Sequence, residues 1–345
     1  MSDRYASRTG LSTLELMRSS ALHHTTVGEL GEAGILDLLS ASYQGLTRGD
    51  GVIGPGDDAA IIPAPGGNFV IATDAMNEGH HFLRTWPSGI TDTGYSTGWK
   101  LAAQNLSDMN AMGGVASSVS VSLAMPTTTP AAWVFQFGRG IANACRWLDA
   151  EQTVISGGDL TRADTIATAM TATANLSGQP VLRQAAEDVT GFHLIHTGHA
   201  GMSHAGYMVA SQGARNQLGR EAVQALRLFL RPRPPLDQGP KVAGVVSAMM
   251  DVSDSIYTDA DRLAAANNLH AHIDPHWVAR RSAKLQPLAD HYDADPTQWV
   301  LTGGEDYGLL AVLNPERDVP TGWEIIGRLT NAPQERPEIT GWDHF

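Results

Sequence analysis

The sequence predicts a two-domain protein that mixes helices and strands, α/β in the broad sense and α+β in detail. Its 345 residues exceed what one hydrophobic core usually organises. Short apolar runs rich in Val, Ile and Thr alternate with Ala- and Leu-rich stretches of helical spacing. The 36 Gly and 18 Pro are spread along the chain rather than gathered in tracts, which means many tight turns between short elements.

The elements follow in order. Residues 1–25 are polar, Ser/Thr-rich and weakly periodic, and read as an N-terminal extension. Thr26 can cap a helix whose third following residue is Glu29, with Leu30, Ile35, Leu38 and Leu39 forming its apolar side. Residues 68–73 are a short β-branched run ending at Asp74. Residues 97–112 and 130–148 have helical spacing, and residues 115–123 alternate Val and Ser as a half-buried strand does. A strand at 153–156 is expected to stop at Gly157, and residues 165–176 alternate again. Turn chemistry at Gly178-Gln179-Pro180 marks a boundary, giving an N-terminal domain over 26–178 and a C-terminal α/β domain over 179–345. There the pattern predicts strands at 192–197, 271–274, 309–313 and 324–327. Helices are expected at 203–211, 221–230, 257–267 and 276–288, with one more from about Lys241 ahead of Asp251.

Composition narrows the function. A formal net charge of −13 argues against nucleic acid or an anionic membrane as partner. Cys145 is the only cysteine and lies in an apolar helical context, so it reads as a buried structural thiol. No apolar stretch reaches membrane-spanning length and the N-terminus shows no basic-then-apolar signal, so a cytoplasmic location is expected.

The chemistry lies in a recurring device, an acidic residue in a turn at the end of an apolar element. Asp57 sits in Gly54-Pro55-Gly56-Asp57-Asp58-Ala59, Asp74 follows Thr73, and Asp108 closes Asn105-Leu106-Ser107-Asp108. Asp159 follows Gly157-Gly158, Asp251 and Asp254 bracket Val252-Ser253, and Glu305 and Asp306 follow Gly303-Gly304. Singly, each is an ordinary cap or Asx-turn. Together they suit magnesium, which takes hard oxygen ligands and bridges polyphosphate. No Gly-x4-Gly-Lys-Ser/Thr loop is present and lysine occurs only at 100, 241 and 284, so metal and a few arginines would have to neutralise any bound phosphates.

In this order the motifs resemble those of the thiamine-monophosphate kinase family, within the aminoimidazole-ribonucleotide-synthetase superfamily, from about Thr26 to Phe345. The most specific are Gly56 to Ala59, Thr73-Asp74 with His81-Phe82, and Asn105 to Gly113, joined by Gly157 to Arg162, Asp251 to Asp254 and Gly303 to Tyr307. The resemblance implies a two-domain fold of that superfamily, with the N-terminal sheet pairing in a homodimer. It implies ATP and thiamine monophosphate as substrates, several magnesium ions, and direct in-line phosphoryl transfer yielding thiamine diphosphate. It assigns Asp57, Thr73, Asp74, Asp108, Asp159, Asp251 and Asp254 to metal, and Gly158, Asp159, Arg183 and Ser253 to ATP. His81, Glu305 and Trp342 would contact thiamine monophosphate. On chemistry alone His81 could be a surface histidine, Glu305 the cap of a helix after Gly304, and Trp342 a packing anchor.

The chain departs from the family pattern at Ala72, Asn110, Ser255 and Gly308. A selenophosphate-synthetase-like activity would want a reactive N-terminal cysteine, and a hydrogenase-maturation relative a C-terminal one. This chain has neither. A non-catalytic binding protein would be expected to have lost some of the principal carboxylates, which are all present.

Overall fold

The computed structural model describes Leu22 and residues 24–43, 69–213 and 219–334. Asp57 and Trp342 therefore lie outside the described residues. Two compact units emerge. The first comprises Met1–Trp86, Thr91–Asn105 and Ala116–Asn175, and the second Pro87–Ile90, Leu106–Val115 and Leu176–Phe345.

The first unit opens with helix α1 (Val27–Ser42), whose start is fixed by the capping box expected from sequence. The Thr26 hydroxyl accepts from the Glu29 N–H, and the Glu29 carboxylate accepts from the Thr26 N–H. Among the described residues its sheet has four strands, β1 (Phe69–Asn77), β2 (Val115–Met125), β3 (Val154–Arg162) and β4 (Ala167–Asn175), in the order β1-β4-β2-β3. β1 pairs antiparallel with β4, and β2 parallel with β3. Helix α2 (Gly94–Ala111) contributes residues to both units, and α3 (Ala131–Trp147) carries Cys145. That thiol is buried as expected, and burial pushes its pKa up to about 12.

β3 corrects the sequence reading, which ended this strand at Gly157. It runs on through Gly157 and Gly158 to Arg162, because two residues without side chains let it lie against β2 across a register shift at Val119/Ser120. A Cβ on Gly158 would fall 1.7 Å from the Val121 carbonyl oxygen.

The second unit is built on a five-stranded antiparallel sheet ordered β6-β8-β5-β9-β7. The strands are β5 (His193–Thr197), β6 (Ala248–Val252), β7 (His270–Ile273), β8 (Gly308–Leu313) and β9 (Glu324–Thr330). The helices are α4 (Met202–Gln212), α5 (Arg220–Leu230), α6 (Gln238–Val242), α7 (Ile256–Ala265), α8 (Pro275–Tyr292) and α9 (Pro296–Thr302). Both sheet faces are covered. Leu310 and Val312 of β8 join a core with Val209, Ala225, Leu263, Trp277 and Val300, while Leu309, Ala311 and Leu313 join another with Val242 and Trp323. Helix spacing from Lys241 had suggested one continuous helix ahead of Asp251. Instead α6 ends at Val242 and β6 follows, every residue of it buried. Among the described residues no helix is long and apolar enough to cross a membrane.

Candidate active site

In the first unit, Thr73 and Asp74 lie in the middle of β1, which does not end at Asp74 as expected but stays paired with β4 through Asn77. The Thr73 and Thr171 hydroxyls lie 2.8 Å apart across the β1–β4 ladder. The Asp74 N–H donates to the Asn105 side-chain oxygen at 3.1 Å, and the Asn105 amide donates to the Leu101 carbonyl at 2.8 Å. Asn105 is fully buried, so this bond locks the β1 backbone at Asp74 onto α2. His81 follows in the turn after β1, where its Nδ1 accepts from the Asn77 N–H at 3.1 Å. The Lys100 ammonium, on a buried side chain of α2, reaches the His81 carbonyl at 3.5 Å. Asn105 and Lys100 escaped the sequence reading as supports of this turn, because their partners here are backbone groups 19 to 31 residues away.

Asp159 is exposed on β3, beside Gly158. Among the described strands β1 and β3 stand at the two ends of the order with two strands between them, so Asp74 and Asp159 stand three strand spacings apart, roughly 14 Å. One ion cannot take both of these carboxylates from a single sheet.

In the second unit, Asp108 belongs to the last turns of α2 and is the one residue from Ser96 to Ala111 that is not buried. Asn110, a departure from the family pattern, is buried and structural. Its side chain accepts from the Gly239 N–H at 2.8 Å and donates to the Pro235 carbonyl at 2.9 Å.

The acidic turns at 251–254 and 303–307 form one structure. β6 and β8 are antiparallel neighbours, so the end of β6 lies beside the start of β8. The turns are joined by the Glu305 N–H donating to the Ser253 carbonyl at 2.8 Å, and the Tyr307 N–H to the Val252 carbonyl at 3.0 Å. Gly304 is required here, since a Cβ would lie 2.7 Å from the Asp254 carbonyl oxygen. Glu305 and Tyr307 both take left-handed backbone, with φ of 63° and 50°, a strain that the surrounding bonds must offset. No helix begins after Gly304; Gly303 instead ends α9, so the capping role for Glu305 is excluded.

Asp306 anchors this loop. Its buried carboxylate accepts from the Gly201 N–H at 2.5 Å and the Ser203 N–H at 2.8 Å, at the start of α4. Burial outweighs these two bonds and pushes its pKa up to about 7. Gly308 lies where the family often has an acidic residue, and a Cβ there would meet the Thr197 carbonyl oxygen at 2.5 Å. On the other turn, the Ser255 hydroxyl caps α7 by accepting from the Thr258 N–H at 3.0 Å. The Asp259 carboxylate accepts from the Asp254 and Ser255 N–H groups, and Arg262 pairs with both Asp254 and Asp259. Asp254 thus has a structural partner already. Asp251 is buried at the end of β6, and Arg183 is exposed, its carbonyl accepting from the Asn267 amide. Among the described residues no three His, Cys, Asp or Glu side chains are grouped so as to hold a metal ion by themselves.

Comparison with known proteins bears on this arrangement. The family described as AIR synthase related protein, N-terminal domain, matches residues 56–175. A thiamine-monophosphate kinase of Mycobacterium tuberculosis is 33% identical over 298 residues, covering 85% of this chain and 84% of that protein. One from Synechococcus elongatus is 31% identical, covering 84% of each. The solved structure of AaThiL complexed with AMPPCP and TMP superposes with a TM-score of 0.70 at 25% identity, covering 93% of this chain and 99% of that one.

Proposed function

The chain belongs to the thiamine-monophosphate kinase family, and from that premise we propose that it transfers the γ-phosphoryl group of ATP to thiamine monophosphate, yielding ADP and thiamine diphosphate. The observation that carries the reading is the likeness along nearly the whole chain to a kinase solved with AMPPCP and TMP together. The acceptor phosphate is already anionic at neutral pH, so no strong general base is required. Catalysis then rests on positioning and on neutralising charge.

Carboxylates without thiolates form the donor set of a hard cation. Magnesium keeps several waters and takes one or two carboxylates plus phosphate oxygens, so it needs no three-carboxylate cage. We therefore assign Asp74 with Thr73, and Asp159, to metal in the first unit, and Asp108 and Asp251 in the second, with Asp57 a further ligand. Asp254 joins them only in part, since Arg262 already engages it. When bound, the metal supplies charge neutralisation on the phosphates. Gly158, Arg183 and Ser253 are assigned to ATP, and His81, Glu305 and Trp342 to thiamine monophosphate. ATP use suits a cytoplasmic enzyme.

A product assay tests the reaction. With ATP and magnesium, chromatography should show thiamine diphosphate from thiamine monophosphate and no product from free thiamine. Efficient turnover of thiamine, or none of the monophosphate, would sink the assignment.

The homodimer is proposed on β1. This strand ends the described sheet with nine residues, and Phe69 and Ile71 are 55% and 59% exposed on it. A strand of that length with no neighbour on this side among the described residues invites pairing with another sheet. Ile71→Lys is expected to convert a dimer into a monomer in light scattering after gel filtration. An unchanged mass would exclude this edge.

A further inference from the structure

The second unit holds a cationic cavity that uses none of the acidic turns. It is open to solvent on one side and offers about 440 Å³, and its basic lining is Arg220, Arg227, Arg233 and His199. Helix α5 builds one wall. Arg220, Val223, Gln224 and Arg227 recur at the spacing that places side chains on one helix face, while Ala222, Ala225 and Phe229 on the other side are buried in the unit. Arg220 and Arg227 are two turns apart, about 10 Å along the axis. Arg233 comes from the proline-rich segment after α5, and His199 from the segment after β5.

The charge is out of keeping with the chain. Acidic residues outnumber basic ones 36 to 23, yet three guanidinium groups face one space with no carboxylate among the described residues that line it. Arg84, Lys241, Arg262 and Arg281 each have an acidic partner. Arg220, Arg227 and Arg233 have none among the described residues. Burial and the neighbouring Arg281 and Arg233 hold His199 below its ordinary pKa, so its imidazole is a neutral hydrogen-bonding group.

Guanidinium forks match phosphate oxygens in geometry and charge, and the Gln224 amide adds a donor. Val223 and Leu228 add an apolar surface that a bare inorganic anion would leave unused. The volume suits a small molecule rather than a segment of a macromolecule. We propose that this cavity binds a small organic diphosphate, its phosphates on Arg220, Arg227 and Arg233 and its organic part against Val223 and Leu228. The products of the proposed reaction, ADP and thiamine diphosphate, both have this chemistry, but the cavity assignment does not depend on that reaction.

Titration calorimetry on the full chain, with chelator present to remove divalent metal, tests the idea using ADP, thiamine diphosphate and inorganic pyrophosphate as separate probes. Saturable binding of one ligand per chain is expected for ADP or thiamine diphosphate, more tightly than for pyrophosphate. The double variant Arg220→Gln, Arg227→Gln should weaken it at least about tenfold, the loss of one or more charge-assisted bonds. The same variant should leave the Michaelis constants for ATP and thiamine monophosphate unchanged. If it does not melt cooperatively, Arg233→Gln takes its place. Undiminished binding in the variants would overturn the assignment. So would the absence of binding by any probe, or binding of pyrophosphate alone.

Discussion

Replacing Asp159 by asparagine is expected to lower turnover about a thousandfold, because the substitution removes a full negative charge from a proposed metal ligand. A metal's stabilisation of phosphoryl charge is worth several kcal/mol, and each 1.4 kcal/mol is tenfold in rate. Asp159 is exposed on β3, so the change should leave the melting temperature where it was. Asp74→Asn should lose activity comparably while keeping its backbone bond to Asn105, since that bond uses the Asp74 N–H. Chelator should abolish wild-type activity and added magnesium restore it. Near-normal rates in both variants would remove these carboxylates from the mechanism.

The second large effect is expected at Asp306, through stability as well as binding. Asp306→Ala strips two buried N–H groups at the start of α4 of their acceptor. Each unsatisfied donor costs about 1–3 kcal/mol, so a fall in melting temperature of roughly 5–10 °C should follow. Asp306→Asn retains one acceptor and isolates the pH dependence. The folded-state pKa of Asp306 is raised from 3.8 to about 7. The stability linked to its protonation is therefore fully present below about pH 4 and lost as the pH rises through 7. The stability of wild type relative to Asp306→Asn should decline from pH 5 to pH 8, measured by melting in matched buffers. A constant difference would show that the carboxyl is ionised throughout. Because Asp306 positions the backbone of Glu305, the asparagine variant should also raise the Michaelis constant for thiamine monophosphate more than that for ATP.

What could be read from the sequence depended on whether the partners were local. Thr26 and Glu29 cap a helix three residues apart, and that helix begins where the sequence placed it. The acidic motifs stood out because Gly and Asp have short-range chemistry of their own, although Asp74 and Asp159 lie within β1 and β3 and Asp108 within α2 rather than in turns. β6 was hidden because both of its faces are buried. Met249 goes to one core and Met250 to the other, and a run apolar on both sides shows no alternation. Asp306 was legible as a motif residue but not as an anchor, since its donors lie 103 and 105 residues upstream. Asn110 looked like an anomaly in an apolar context, yet it is a buried crosslink to residues more than 120 positions later. Ser255, which departs from the family glycine, turned out to be a helix cap.

The joining of the 251–254 and 303–307 turns has a consequence for how this chain can change length. The 251–254 turn leaves β6 and the 303–307 turn enters β8, strands whose alternate residues fill opposite cores, so losing one residue within either would exchange the two sets of side chains and turn the motifs away from each other. The chain between the turns carries no such restriction at its exposed bends, such as the left-handed Asp293 that closes α8. Insertions and deletions among relatives should therefore collect at such bends, while the two turns keep a fixed register across the sheet however far apart they fall in sequence.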